Sequence, residues 1–330
     1  MLTSPKYLTL TGILFFIFSL SACQKSETEK ASTTQKNQNE TKTLTVGFQK
    51  SSLTLLIARE EKLLEKQFPN TEIRWKEFPA GPQLLEALSA GSLDYGFVGN
   101  IPPIFAQSAN KSIAYVAYEA VPPKSIALIV PETSSIQTLN QLKGKRIALQ
   151  KGSAAHDLLG KILIKAGLNW QNIQPLWLPP ADARAAFDQK SIDAWISWDP
   201  FLSVIERDAK VRTLIDASAF PQTYQFYVAN PNYLKTNPQS VPQFINASNE
   251  ANAWTVKYPE QTIQYYATAI GQDKNIAKKA LDKRPSDISI KVIDDSVIQS
   301  QQKIADYFFQ EKLIPTQIDI HKAVWKYANL

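Results

Sequence analysis

The sequence predicts an α/β protein of two similar lobes, with a cleft between them and a helical C-terminal part. Short runs rich in β-branched and aromatic residues alternate with helical patterns from Leu44 onward, as they do in parallel βαβ units. The same order of elements then occurs a second time. A chain of 330 residues also exceeds one average domain and has room for two.

The first repeat begins with a predicted strand at residues 44–48. An apolar periodicity predicts one helix over residues 53–68. Pro82 favours a helix start, and the helical pattern continues to residue 88. Further strands are predicted at residues 73–75, 95–98 and 113–118.

The second repeat has predicted strands at residues 146–149, 173–178 and 192–196, with helices at 154–166 and 183–187. Short motifs also recur. Gln49-Lys50-Ser51-Ser52 corresponds to Gln150-Lys151-Gly152-Ser153, and Ser92-Leu93-Asp94 corresponds to Ser191-Ile192-Asp193 at nearly the same offset. Two matches in the same order, on the same pattern of elements, indicate an internal duplication.

Two extended runs, at residues 125–130 and 224–229, can carry the chain between the lobes. We therefore expect residues 43–124 and 225–330 to form lobe 1 and residues 125–224 to form lobe 2. After the second crossing the pattern is helical, and an apolar stripe on the last helix predicts that this tail packs on lobe 1. The helices of the tail are predicted at residues 241–257, 260–270, 274–281 and 294–310.

The N-terminal segment is predicted to be a targeting signal. Lys6 precedes a mostly apolar run at residues 7–20, which is shorter than the roughly 20 residues of a membrane-spanning helix. Leu20-Ser21-Ala22-Cys23 has the pattern of a bacterial lipobox, so we expect residues 1–22 to be removed and Cys23 to be lipidated. Residues 23–42 are polar and predict a flexible tether. The expected location is the periplasm or cell envelope, held by the lipid.

Charge and composition narrow the classes of partner. The net charge of +6 is modest, and the Lys and Arg residues are scattered along the chain. The sequence has no basic run or motif of the nucleic-acid-binding families, so we expect no nucleic-acid partner. The mild positive field is suited to attracting small anions.

In each lobe a strand runs into a Gln-Lys-(Ser/Gly)-Ser loop and then a helix, which places Gln49, Ser51 and Ser52 in one loop and Ser153 in the other. Ligands of open α/β sheets bind at the carboxyl ends of strands, and helix N-termini supply free N–H groups to anions. We therefore predict an oxyanion site, for which a permanently charged sulfonate is well suited. The alternative is that Ser52 and Ser153 only cap their own helices.

Other candidates for the cleft follow the ends of strands. Asn100 could donate its amide to an oxyanion. Trp198 is expected either at the cleft wall or in the core. Asp199 would cap a helix, pair with a cation such as Arg184, or receive an ammonium group of the ligand. Gly81 is either a plain helix start or a close approach of the backbone to the ligand.

His156, near the start of the second repeat's first helix, could donate to an anion, whereas His321 is expected on the surface. With two His, one Cys and no clustered acidic pair, no metal site is predicted. No catalytic triad, phosphate-binding loop or dinucleotide fingerprint is present, so we expect no catalytic residues, no cofactor and no enzyme activity. A mobile cleft without catalytic groups indicates a binding function.

Several longer motifs resemble one known family. They are Trp75-Lys76-Glu77-Phe78-Pro79-Ala80-Gly81-Pro82-Gln83-Leu84-Leu85, Asn100-Ile101-Pro102-Pro103, Pro180-Ala181-Asp182-Ala183-Arg184, Trp198-Asp199-Pro200 and Lys283-Arg284-Pro285. From about Thr43 to its end, the chain resembles the aliphatic-sulfonate-binding proteins of ABC importers. The resemblance implies type II periplasmic-binding-protein topology, a small organic sulfonate as ligand, an inner-membrane ABC permease with its ATPase as partner, and a role in sulfur acquisition. We expect a monomer.

The chain departs from that family at Ser51, where Gly is usual, and at Asn100, where Asp is usual. Cys23 also predicts a lipid anchor in a family whose members are commonly free. Taurine, nitrate or another oxyanion is the alternative ligand. The pyrimidine-precursor synthases of thiamine biosynthesis share the fold, but they depend on His- and Cys-rich motifs that this chain lacks. The duplicated loops argue against a purely structural envelope lipoprotein.

Overall fold

The computed structural model describes residues 42–285 and 288–326. The strands are β1 (Lys42–Phe48), β2 (Thr71–Glu77), β3 (Tyr95–Val98), β4 (Ala114–Ala120), β5 (Ile126–Pro131), β6 (Arg146–Leu149), β7 (Gln174–Trp177), β8 (Ala194–Trp198), β9 (Val211–Asp216), β10 (Tyr224–Ala229) and β11 (Lys291–Val292). The helices are α1 (Leu53–Glu60), α2 (Leu63–Gln67), α3 (Gly81–Ser89), α4 (Ile101–Ser108), α5 (Ala154–Lys165), α6 (Pro180–Asp188), α7 (Phe201–Asp208), α8 (Pro231–Thr236), α9 (Ser240–Lys257), α10 (Pro259–Ile270), α11 (Lys274–Leu281) and α12 (Asp295–Gln310).

The predicted signal segment, Cys23 and nearly all of the tether lie outside the described residues. Within residues 42–285 and 288–326, none of the helices has both the length and the apolar character of a membrane span.

The strands form two sheets. The first contains six strands in the order β11-β4-β10-β3-β1-β2, and the second contains five in the order β7-β6-β8-β5-β9. In the first, β1 lies parallel to β2 and β3, while β10 runs antiparallel to both of its neighbours, β3 and β4. In the second, β6 lies parallel to β7 and β8, while β5 runs antiparallel to β8. We call the first sheet with the helices packed on it lobe 1, and the second sheet with its helices lobe 2.

The internal duplication extends to individual hydrogen bonds. The Asp94 carboxylate accepts a hydrogen bond from the N–H of Thr45 at 2.7 Å, near the start of β1. The corresponding Asp193 carboxylate accepts one from the N–H of Arg146 at 2.8 Å, at the start of β6. The predicted α/β class with two sheets is confirmed, whereas the limits of the lobes at residues 125 and 224 stay a prediction.

One predicted helix is wrong. The pattern over residues 53–68 is interrupted at Lys62, whose φ of 53° lies in the left-handed region, so α1 and α2 are separate helices. Apolar periodicity continued through the break because both helices bury leucines against the same core. The helix α7 and the strand β9 were not predicted from the sequence.

The helical tail packs on lobe 1, as expected, but it also contacts lobe 2. The α12 side chains of Val297, Ile298 and Phe308 are buried in the lobe 1 core. On the neighbouring face, the hydroxyl of Tyr307 accepts a hydrogen bond from Trp170 Nε1 in lobe 2 at 3.3 Å. The tail therefore contacts both lobes.

Paired glycines allow α3 to lie close to the first sheet. Gly47 and Gly96 are opposite each other in the β1–β3 register, and both face Leu84 of α3. A Cβ atom at Gly96 would lie 2.4 Å from Leu84 Cδ2, and one at Gly47 would lie 2.6 Å from Leu93 Cδ1. Because α3 begins at the cleft, this close packing also fixes the position of its N-terminus.

We expect Gly96→Ala to lower the free energy of unfolding by about 1–3 kcal/mol, because the added methyl overpacks a closed core. The Leu84→Ala variant creates the space that the methyl needs. In urea unfolding, the double variant should therefore cost less than the sum of the single variants. Strict additivity of the two substitutions would contradict this account of α3 packing.

Candidate functional site

A cleft lies between the carboxyl ends of the parallel strands of the two sheets. Gln49 and Ser51 line it after β1, and Ser153 lines it after β6. Trp198 and Asp199 line it at the end of β8. The duplicated loops therefore face the same space from opposite lobes.

In the part of the chain that the structure describes, four helices begin at the wall of this cleft. The first turns of α1, α3, α4 and α5 contribute Leu53, Gly81, Pro102 and Ala154 to its lining. Each helix start carries a partial positive charge, which favours an anion nearby. The N–H groups of Ser153 and Ala154 make no hydrogen bond within the described part of the chain, so they can donate to a ligand.

Arg284 places a cationic side chain at the cleft and was not among the site residues predicted from the sequence. Its guanidinium lies 3.9 Å from the carboxylate of Glu119, which is 1% exposed. Glu119 accepts hydrogen bonds from Gln225 Nε2 at 2.6 Å and from the Tyr227 hydroxyl at 2.9 Å. The Glu119 carboxylate already accepts these two hydrogen bonds and lies 3.9 Å from the guanidinium. The N–H donors of Arg284 therefore remain available to an anion.

Asp199 is neutralised by a partner other than the one expected. Its carboxylate accepts from the N–H of Ser203 at 2.9 Å, in the first turn of α7, and lies 3.2 Å from Lys283 Nζ. Burial raises the pKa of Asp199, and the charge of Lys283 opposes that rise. The expected pairing with Arg184 is corrected, because Arg184 pairs with Asp188 at 2.8 Å and does not line the cleft.

The predicted residues found at the cleft have distinct local roles. Gln49 donates its amide to the carbonyl of Phe97 at 2.9 Å. The Ser153 hydroxyl accepts from the Ala155 N–H at 3.2 Å and so caps α5, which leaves its own N–H for the cleft. A Cβ atom at Gly81 would lie 2.5 Å from Pro102 Cγ, so glycine is required where α3 meets α4. These residues are Gln49, Ser51, Gly81, Ser153, Trp198 and Asp199.

Ser52 and Asn100 are not at the cleft, contrary to expectation. The Ser52 hydroxyl accepts a hydrogen bond from the Gln49 N–H at 3.3 Å, and the residue is 1% exposed. Asn100 donates from Nδ2 to Asp157 across the lobes at 2.8 Å and is 2% exposed. Both are therefore engaged in holding the loops in place.

His156 lies behind the second anion loop and does not face the ligand space. Its ring centroid is within 6 Å of four aromatic rings, those of Phe105 and Phe308 from lobe 1 and Trp170 and Trp177 from lobe 2. Nδ1 accepts a hydrogen bond from the N–H of Gly152 at 3.3 Å. Burial, assisted by the charge of Lys151, lowers the pKa of His156 to about 3. The expectation that it donates to the ligand is corrected.

The rest of the lining is largely apolar. Phe97, Tyr266 and Leu281 contribute side chains that the sequence alone did not point to. Burial, assisted by the negative charge of Asp199, raises the pKa of Tyr266, so its hydroxyl stays protonated. Tyr266 and Leu281 belong to the helical tail, which is distant in sequence from the strand ends and reaches the cleft only in the folded protein. The amino-acid pattern of α10 and α11 therefore gave no signal for them.

The fold is that of a two-lobed periplasmic binding protein. It consists of two duplicated α/β lobes, with chain crossings between them and a shared cleft at the strand ends. The chain is similar to the alkanesulfonate-binding protein SsuA from Xanthomonas axonopodis pv. citri bound to MOPS, with 40% identity and a TM-score of 0.83 over 86% of this chain and 98% of that chain. It is also similar to the periplasmic aliphatic sulphonate binding protein SsuA from Escherichia coli, with 42% identity and a TM-score of 0.80 over 86% of this chain and 97% of that chain.

Sequence comparison agrees with the structural likeness. A protein of Bacillus subtilis (strain 168) described as aliphatic sulfonates-binding is 30% identical over 96% of this chain and 93% of its own length. Residues 75–262, more than half of the chain, match the family model described as NMT1/THI5 like. The chain belongs to the NMT1/THI5-like family.

The buried imidazole makes stability depend on pH. The pKa of His156 is about 3 in the folded protein and near 6.5 when unfolded, so its contribution is present above pH 6.5 and is lost as the pH falls toward 3. Between pH 7 and pH 5, His156→Phe should therefore lose about 2 kcal/mol less unfolding free energy than wild type. Urea unfolding at both pH values measures this, with His321→Gln as the control for loss of an exposed imidazole. Equal losses in His156→Phe and wild type would contradict the burial argument.

Proposed function

We propose that this protein captures a small organic sulfonate in the cleft between its lobes, as the substrate-binding component of an ABC importer that serves sulfur acquisition. The observation that carries the proposal is the convergence of four helix N-termini and the Arg284 guanidinium on one cleft. These groups are all hydrogen-bond donors or positive dipole ends.

A sulfonate matches this arrangement chemically. It carries one permanent negative charge over three acceptor oxygens, so it needs several donors and no proton transfer. The Ser153 and Ala154 N–H groups and the Arg284 fork can supply them from two sides. Asp199 is paired with Lys283, which reduces its repulsion of an anion. These features serve binding, and we propose that the protein is not an enzyme.

The apolar lining favours an organic ligand over an inorganic anion. Phe97, Trp198 and Leu281 offer hydrocarbon surface for an alkyl group, which nitrate or sulfate would leave unused. Taurine would add an ammonium group, and the carboxylate that lines the cleft within the described residues, Asp199, already has Lys283 as its cation. The relatives described as sulfonate-binding, including the one bound to the sulfonate MOPS, give independent support.

The remaining parts of the proposal concern location and partners. Cleavage after Ala22 would leave Cys23 as a lipidated N-terminus, and residues 23–42 would tether the binding domain to a membrane of the cell envelope. We propose that a monomer delivers the ligand to an inner-membrane permease with its ATPase. The proposed lobes, residues 43–124 with 225–330 and residues 125–224, would move about the crossings near residues 125 and 224.

Calorimetric titration of the protein lacking residues 1–22 tests the ligand class. Ethanesulfonate should bind more tightly than taurine, nitrate or sulfate. Its affinity should vary little between pH 6 and 9, because the ligand charge is permanent and the pKa of His156 lies far below that range. Tighter binding of nitrate than of ethanesulfonate, or no binding of any sulfonate, would overturn the proposal.

Variants in the same titration test the donors. Arg284→Gln should weaken ethanesulfonate binding by about tenfold to a hundredfold, since a hydrogen bond to a charged group contributes roughly 1.5–3 kcal/mol. The matched control is Arg74→Gln, which removes an exposed arginine of the same lobe. Ser153→Ala should change affinity less, because the backbone donor remains, whereas Ser153→Asp should weaken it strongly by placing a second negative charge beside the first.

The lipid anchor gives a separate prediction. Intact-mass measurement of the membrane fraction should show a diacylated N-terminal cysteine at residue 23. Cys23→Ala should release the protein into the soluble fraction with its ethanesulfonate affinity unchanged. A soluble wild-type protein without lipid would contradict the anchor and leave the ligand assignment intact.

A further inference from the structure

A cluster of charged side chains joins the lobes at one rim of the cleft. Lys283, just after α11, extends from lobe 1 to α7 of lobe 2. Its Nζ lies 3.2 Å from Asp199 Oδ2, 3.1 Å from Ser203 Oγ and 3.2 Å from Glu206 Oε2. The same Glu206 carboxylate also accepts Lys279 Nζ at 3.0 Å.

The helices that carry these groups belong to different cores. Ile276 and Ala280 of α11 are buried in the lobe 1 core, whereas Leu202 and Ile205 of α7 are buried in the lobe 2 core. Each contact of Lys283 with α7 therefore crosses between lobes and must break if the lobes separate. Val204 of α7 also packs against the lobe 1 core beside the cluster.

Burial distinguishes Lys283 from the neighbouring lysines of α11. Its side chain is 14% exposed, against 7% for Asp199 and 18% for Glu206. Lys278, which pairs with Asp282 in the same segment, is 58% exposed and makes an ordinary surface ion pair. Removing one partner of a buried pair leaves an uncompensated charge, so the effect is far larger than at the surface.

Lys283 also lies next to the ligand space without lining it. Asp199, its partner, and Arg284, its neighbour in sequence, both line the cleft. Anion binding at Arg284 and closure of the rim at Lys283 thus involve adjacent residues of one short segment. Ligand entry requires an open cleft, and ligand retention requires a closed one.

We propose that Lys283 is a positioning residue that holds the two lobes closed over the ligand through Asp199 and Glu206. Its ammonium, together with that of Lys279 on Glu206, balances two carboxylates of lobe 2 that would otherwise be buried together against lobe 1. The cluster therefore stabilises the closed form and slows release of the ligand without touching it. This inference rests on the proposed capture of a sulfonate between the lobes.

The test compares Lys283→Met with wild type, using ethanesulfonate as the probe. Affinity should fall about tenfold to a hundredfold, with the change in the dissociation rate and little change in the association rate. Small-angle X-ray scattering without ligand should give a larger radius of gyration for Lys283→Met than for wild type. Lys283→Arg should restore both quantities, and Lys278→Met, the matched surface control, should change neither.

Glu206→Gln provides a second variant should Lys283→Met fail to fold. It should raise the dissociation rate and the unliganded radius of gyration by smaller amounts. Equal dissociation rates and equal radii for folded Lys283→Met and wild type would overturn the inference. Failure of wild type to bind ethanesulfonate would overturn the proposed ligand instead. The unliganded radii of the variants would still decide the role of Lys283.

Discussion

The carboxyl ends of parallel strands meet at one edge of a sheet, and the cleft of this protein depends on two such edges facing each other. The strands β1 and β6 occupy equivalent positions in the two sheets and lead into loops of the same sequence pattern. The carboxylates of Asp94 and Asp193 hold the beginnings of these strands by equivalent hydrogen bonds. Helix starts therefore converge on the space between the lobes as a consequence of the sheet order.

Charge at the cleft is balanced in a way that leaves room for an anion. Among the described residues, one carboxyl group, that of Asp199, and one guanidinium, that of Arg284, line it. Asp199 lies 3.2 Å from Lys283 and accepts a hydrogen bond at the start of α7, whereas Arg284 reaches Glu119 only at 3.9 Å. The arginine is thus the less satisfied of the two, and backbone N–H groups add further positive potential. An incoming sulfonate would meet donors already held in position by strands and helices.

Local sequence patterns were sufficient for much of the fold and for part of the site. Strand alternation and the repeated Gln-Lys-(Ser/Gly)-Ser motif located Gln49, Ser51 and Ser153 at the cleft. The pairing of Arg184 with Asp188, which keeps Arg184 from the cleft, could also have been predicted. Asp188 lies four residues further along the same helix and competes for the guanidinium. Interactions between residues close in sequence thus determine more of the site than the motif spacing alone indicates.

The remaining features depend on contacts between distant segments. Lys283 and Arg284 reach the cleft only because the tail returns to lobe 1 after the second crossing, which no local periodicity reveals. His156 is buried by Phe105 and Phe308, each on a helix of the other lobe. A histidine beside a helix start is compatible with anion binding until those rings are placed over it.

The central claim is that backbone N–H groups at helix starts and the Arg284 guanidinium hold a sulfonate between the lobes. A crystal structure of the protein with ethanesulfonate tests it most directly. Sulfonate oxygens should lie within hydrogen-bond distance of Arg284 and of the Ser153 and Ala154 N–H groups, with the ethyl group against the apolar wall. A sulfonate bound outside the cleft, or held inside it without contact to Arg284 or either N–H group, would contradict the account.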